Sequence, residues 1–181
     1  MGSDPQLNPE RVERGLEADS ESFVASSREF AGAQITFGIL QRLEDAGLLP
    51  ADEKKRVLVA FGEALVNAHE HGNLELRSEW RDKEGAEGRD LFSEMKDRRL
   101  RVPQYGDRKL QVRVSFDGVF LALTVRDEGP GYNPIELREG SAGSDTASHG
   151  RGLRLIRHFM DEVLIHEGGR LLELRKRLVF P

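Results

Sequence analysis

The sequence predicts an α+β fold, a two-layer sandwich rather than a doubly wound sheet, from three observations. Apolar residues recur at helical intervals along three stretches, around Leu40, Phe61 and Ile156. They alternate with period two from Leu110 to Val125, and strand-like runs close the chain. Helical and strand segments are not interleaved one for one, as a parallel βαβ sheet would require. At 181 residues a single domain with one substantial core is the expected organisation.

Taken in order, residues 1–20 are rich in Asp, Pro, Asn, Glu and Arg without periodicity, and read as a tail or linker remnant ahead of a domain spanning 21–181. Ser26 and Glu29 have capping-box spacing, and Phe30, Ala33, Phe37, Leu40 and Leu43 then follow a helical stripe that stops at Gly47. A second helix is expected after Pro50, with Asp52 and Glu53 in its first turn, running to about His71. Its stripe of Val57, Ala60, Phe61, Ala64, Leu65 and Ala68 marks a buried face.

The charged segment 74–108 contains Gly85, Gly88, Pro103 and Gly106 and reads as an insertion with a partial helix through Leu91, Phe92 and Met95. The basic cluster Lys96 to Arg101 inside it, interrupted by Asp97, reads as a solvated helix end. Leu110, Val112, Val114 and Phe116 then alternate, Asp117-Gly118 supplies a tight turn, and Val119, Leu121, Leu123 and Val125 alternate again. Asn133-Pro134 is expected to open a short helix, and 139–149 to form a mobile loop. Leu153, Ile156, Phe159 and Met160 give the third helical stripe. Strands at Val163 to His166 and Leu171 to Leu178, joined by a Gly168-Gly169 turn, end the chain.

Composition narrows the function. Zero cysteines exclude disulfides, thiolate metal sites and cysteine nucleophiles, and suit a reducing compartment, so a cytoplasmic location is expected. No apolar run reaches the length of a membrane span, and no signal-peptide core follows Met1. A net charge of -5 with no basic stripe speaks against nucleic acid as a partner.

Three segments carry chemistry. On the second helix Glu63, Asn67, Glu70 and His71 are expected on one polar face, where a carboxylate and an amide oxygen one turn apart can serve a hydroxyl proton and a hard cation. His69 and His71, two residues apart, point away from each other and do not make a metal pair. Asp127-Glu128-Gly129-Pro130-Gly131-Tyr132 places a carboxylate at a strand end, in a turn whose glycines admit close approach of a ligand. Gly150-Arg151-Gly152 precedes a helix, where free N–H groups can receive phosphate oxygens. It lacks the Lys-Ser/Thr of a P-loop and does not follow a strand as a dinucleotide fingerprint must.

In this order the three segments resemble the N, G1 and G2 boxes of the GHKL superfamily, which includes gyrase, MutL-type ATPases, heat-shock chaperones and histidine kinases. The wording is most similar to the bacterial anti-sigma-factor serine/threonine kinases: Glu63-Ala-Leu-Val-Asn67-Ala with His71-Gly72 behind it, and Phe159-Met160-Asp161-Glu162-Val163 after the G2 helix. The resemblance covers about residues 21 to 181 apart from the insertion. It implies a GHKL fold with a mixed sheet, ATP and Mg2+ as cofactors, Asn67 as the Mg2+ ligand and Glu63 as the general base. Asp127 would accept a hydrogen bond from the adenine amino group, with Gly129 and Gly131 shaping that pocket. Gly150 and Gly152 would cradle phosphates, with Arg151 between them, and His71 and Leu153 complete the residues carried over to the cofactor site.

The implied activity is phosphoryl transfer to a STAS-domain anti-sigma antagonist, with a sigma factor as a further partner and a homodimer among the assemblies left open. Departures from the pattern are equally visible. Ser148 and His149 stand where some of these kinases carry a lid arginine, and Gly168-Gly169-Arg170 replaces a late Gly-Thr-Thr. They leave two alternatives: a catalytically silent, nucleotide-gated partner-binding module, and a histidine-kinase catalytic domain excised from a longer chain. The first helix contains no acceptor histidine.

Overall fold

A computed structural model of the chain describes residues 20–30, 32–131 and 151–179. Five strands make one sheet in the order β1-β2-β3-β5-β4, with β1 at Ser20–Ser26, β2 at Lys109–Phe116, β3 at Phe120–Arg126, β4 at Glu162–His166 and β5 at Leu171–Arg177. The helices are α1 at Gly32–Asp45, α2 at Ala51–Val66, α3 at Leu91–Arg101, a single turn α4 at Pro103–Gly106, and α5 at Arg151–Phe159. The α+β sandwich expected from the sequence is the fold observed.

The sheet is not mixed, however: every pairing among the described strands is antiparallel. The crossover from β3 through α5 sets β4 one place beyond β3's neighbouring position, and β5 folds back into the gap. It therefore runs antiparallel to both, and no parallel neighbours arise. The β2–β3 hairpin turns at Gly118, whose φ of 94° is open to glycine at little cost, while the Asp117 carboxylate accepts the amides of Val119 and Phe120 at 2.9 and 2.7 Å.

One face of the sheet is apolar because alternate residues point the same way. Val112 faces Val125, Val114 faces Leu123, and Leu123 and Val125 face Leu174 and Leu172 on the next strand. Onto this face α1, α2 and α5 bring Ile39, Leu40, Val57, Phe61, Leu65 and Ile156, all buried. Burying each such side chain contributes about 1.5–3 kcal/mol. Ala60 and Ala64 on α2 are also buried, and their small size lets α2 sit close to the sheet and α5.

The N-terminal part departs from expectation. Ser20–Ser26 is an edge strand, and the first helix starts only at Gly32. Ser26 does donate its hydroxyl to Glu29 Oε2 at 2.8 Å, but this contact closes the turn after β1 rather than a helix end. Phe37, expected in the buried stripe, is 62% exposed, and Ile35 and Ile39 fill the core side of α1 instead.

The 74–108 insertion is an organised element with its own small core of Leu74, Leu76 and Phe92, flanked by Trp80, Met95, Leu100 and Tyr105. Asp90 caps α3 by accepting the Ser93 amide at 2.8 Å. At the other end Arg28 donates to the Leu100 carbonyl at 2.7 Å, tying α3 to the segment after β1. The Lys96–Arg101 cluster is a solvated helix end only in part. Arg98 and Arg101 are exposed, whereas Lys96 pairs with Glu70, and Arg99 lies over the rings of Trp80 and Tyr105 at 5.2 and 4.7 Å.

Candidate functional site

The helix begun by α2 does not stop at Val66 but widens into a π-helical turn, Asn67–Asn73, in which the Leu74 amide reaches back to the His69 carbonyl at 2.9 Å. Such a turn admits an extra residue and changes the direction in which side chains emerge. Glu63 and Asn67 lie before the change of phase and stay together. Glu70 and His71 lie after it and turn away, which corrects the expectation of a single four-residue polar face.

Glu70 is buried and held by Arg81 at 2.9 Å and Lys96 at 2.7 Å, both from the insertion. His71 bonds through Nδ1 to the Leu76 carbonyl at 2.7 Å and sets its ring edge toward Phe92. Its contacts thus lie on the insertion side rather than with Glu63, Asn67 or Asp127. His69 is buried against Phe30 with its Nε2 on the Ser27 carbonyl at 3.1 Å, and burial lowers its pKa to about 4. It is a neutral structural residue that donates to that carbonyl.

Glu63 and Asn67 face the first turn of α5. A β-carbon placed on Gly152 would lie 2.6 Å from Glu63 Oε2 and 3.3 Å from the Asn67 amide nitrogen. Only a glycine lets the start of this helix come so close to a carboxylate and a carboxamide, and the unpaired N–H groups of a first helical turn favour anions. Leu153, next along, packs against the core and fixes α5 rather than lining this site. Gly150, the side chain of Arg151, Tyr132 and the expected short helix and loop between 133 and 149 lie outside the described residues.

The second cluster surrounds Asp127 at the end of β3. The residue is only 8% exposed, and one carboxylate oxygen accepts the Gly129 amide at 2.8 Å. Burial raises its pKa to about 6, opposed by that hydrogen bond and by the charges of Arg108 and Arg170. Gly72, at the end of the π turn, packs directly on it: a β-carbon there would come within 2.5 Å of Asp127 Cγ. A β-carbon on Gly129 would overlap the Gly72 carbonyl, and one on Gly131, whose φ is 78°, would overlap the Gly168 carbonyl in the β4–β5 turn. The Asp127 amide is bonded to the Arg170 carbonyl at 2.9 Å.

Sequence reasoning gave no role to Asn73, Arg108 or Ser27, which lock these parts together. Asn73 is fully buried, accepts the Glu128 amide at 2.7 Å and donates to Ser27 Oγ at 3.0 Å. Arg108 reaches the Asn73 carbonyl at 2.7 Å. A Gly-Asn pair directly after a long amphipathic helix was the available signal, and it reads equally well as a plain helix end.

The arrangement has two ends. One presents a buried carboxylate acceptor in a glycine-walled turn, and the other a carboxylate and an amide against the first turn of a helix. Among the described residues no group of three or more His, Cys, Asp or Glu side chains could hold a metal ion by itself. No helix among them is long and apolar enough to cross a membrane. The family model of the histidine kinase-like ATPase domain matches residues 33–176. No curated protein matches the chain.

Proposed function

The chain belongs to the histidine kinase-like ATPase domain family, and on that footing we propose that it is a protein serine/threonine kinase of the anti-sigma-factor type. In this reading it binds Mg-ATP and phosphorylates a STAS-domain anti-sigma antagonist, with a sigma factor as a second partner. The observation that supports the proposal is the apposition of Glu63 and Asn67 to Gly152, which brings a carboxylate and a carboxamide against the first turn of a helix.

The residues suit the cofactors. Mg2+ takes oxygen ligands and is usually held by few protein groups together with phosphate oxygens, so Asn67 can serve as its protein ligand without a cluster of carboxylates. When bound, the ion neutralises charge shared between the β- and γ-phosphates. Asp127 offers a buried acceptor for the adenine amino group, and the bare backbones of Gly72 and Gly129 let the chain pack directly around that carboxylate and hold it in place. Gly152 lies in the first turn of α5, where backbone N–H groups can receive phosphate oxygens.

In the transfer, the acceptor hydroxyl oxygen bonds to the γ-phosphorus while the bond to the β–γ bridging oxygen breaks and ADP leaves. Glu63 orients that hydroxyl and takes its proton. The test is incubation of the protein and γ-labelled ATP with STAS-domain proteins, followed by search for phosphoserine or phosphothreonine. Label on a STAS protein supports the kinase. Nucleotide binding with no label, while a partner is still held, supports the silent binding module that the replacement of a lid arginine by Ser148 and His149 leaves open.

A further inference from the structure

The Asp127 turn is held at a point that none of the three nucleotide motifs explains. Between Asp127 and Gly129, the Glu128 amide donates to Asn73 Oδ1 at 2.7 Å, and the Glu128 side chain accepts the Lys109 amide at 2.8 Å. Asn73 has no exposed surface, and each polar part of its side chain and its carbonyl has a different partner. Its amide nitrogen donates to Ser27 Oγ after β1, and its carbonyl accepts from Arg108 at the end of the insertion. Ser27 closes the circuit, since both its amide and its hydroxyl donate to the Arg108 carbonyl at 2.8 and 3.0 Å. Arg108 is itself set by Glu75 at 2.7 Å and by the Tyr105 ring at 5.1 Å.

We infer that Asn73 is the positioning residue for the base-recognising end of the site. By holding the Glu128 amide it fixes the peptide that carries the Asp127 carboxylate, and through Arg108 it makes that geometry depend on the insertion. The inference rests on the reading of Asp127 as the adenine acceptor and deepens it: the 74–108 segment acts on nucleotide affinity from outside the site, without touching the nucleotide. The physical ground is that Asp127 bonds one oxygen to the Gly129 amide, so a rotation of the Glu128 peptide moves both its donor and its direction. A part-buried amide left without its acceptor would turn to find another.

Calorimetric titration of the full chain with ATP and with ADP, each in Mg2+ and in EDTA, tests this. Asn73→Ala is expected to raise both Kd values by the same factor, about tenfold, because the hydrogen bond that holds the Glu128 amide at the base end is lost. The gain in ATP affinity on adding Mg2+ is expected to stay as in the wild type, and the stoichiometry to stay at one site per folded chain. Asn73→Asp keeps an acceptor for the Glu128 amide and is expected to return affinity to within about threefold of wild type, even where its melting temperature is lower. Amide exchange at Glu128 should be faster in Asn73→Ala than in Asn73→Asp.

A purely structural role would lower stoichiometry and melting temperature in both variants and leave the Kd of the folded fraction unmoved, and that result overturns the inference. So does equal loss of affinity in Asn73→Ala and Asn73→Asp, or a loss confined to the Mg2+-dependent part. Should the Asn73 variants not fold, Arg108→Gln, from a side chain that is 20% exposed, must raise the ATP Kd by about two- to threefold at constant Mg2+ gain; no change there overturns the assignment. A wild type that binds no ATP removes the parent reading and this one together. ATP binding that is lost in Asp127→Asn but unaltered in Asn73→Ala removes only the role of Asn73.

Discussion

Glu63 on α2 lies so close to the backbone of Gly152 on α5 that a single added methyl group at Gly152 would sit 2.6 Å from its carboxylate. Gly152 is the second residue of α5, and alanine at a position whose backbone it can adopt stabilises a chain by about 0.4–1 kcal/mol relative to glycine. The end of the Glu63 side chain can swing aside, so Gly152→Ala is expected to leave the melting temperature unchanged or slightly raised. Mg-ATP affinity and phosphoryl transfer should both fall, because the new methyl displaces the Glu63 carboxylate and crowds Asn67. A marked loss of stability with intact nucleotide binding would show that this glycine serves only helix packing.

Asp127→Asn separates binding from stability. The buried carboxyl has its pKa raised from 3.8 to about 6, so between those values the folded protein holds a proton that the unfolded chain has released. Its contribution to stability is full below about pH 4 and is lost as pH rises through about 6. At pH 7.5 Asp127→Asn should therefore be more stable than wild type by about 1–3 kcal/mol in urea melts, while binding ATP with about 1.5–3 kcal/mol less free energy. His69, with its pKa lowered to about 4, gives a slope of the opposite sign in the same range, but it is common to both proteins and cancels in the difference. Equal ATP affinity for the two proteins would remove Asp127 from the adenine site.

Asn67 stands at the start of the π turn with its amide beside Gly152. Asn67→Ala should reduce Mg-ATP affinity strongly while leaving binding in EDTA close to wild type, since only the cation's protein ligand is removed. The fold should persist, because the apolar stripe of α2 is unaltered. Nucleotide affinity insensitive to both EDTA and this substitution would contradict the metal assignment.

The fold, and the segments that form both ends of the candidate site, were legible wherever one local pattern governed the outcome. The period-two run from Leu110 to Val125 has one possible buried face, and α2 carries an unbroken apolar stripe. Edge strand β1 was hidden because Ser-Glu-Ser-Phe-Val-Ala-Ser offers only a short apolar run beside a capping-box pair that elsewhere would open a helix. The π turn was invisible for a different reason: Asn-Ala-His-Glu-His-Gly-Asn continues a helical pattern, and only tertiary partners, Arg81 and Lys96 on Glu70, select the wider turn. Gly72 and Asn73 directly follow the helix motif, yet their contacts with Asp127 and Glu128 join segments more than fifty residues apart, which no local period encodes.

Glu63→Gln tests the central claim most directly, because a general base accelerates transfer by about 10² to 10⁴ while adding little to ground-state nucleotide affinity. Calorimetry should give Glu63→Gln an Mg-ATP affinity close to wild type, and transfer of γ-label to a STAS-domain substrate should be at least about a hundredfold slower. Loss of nucleotide binding in Glu63→Gln, or transfer at the wild-type rate, would contradict the assignment of Glu63 as the base of a serine/threonine kinase.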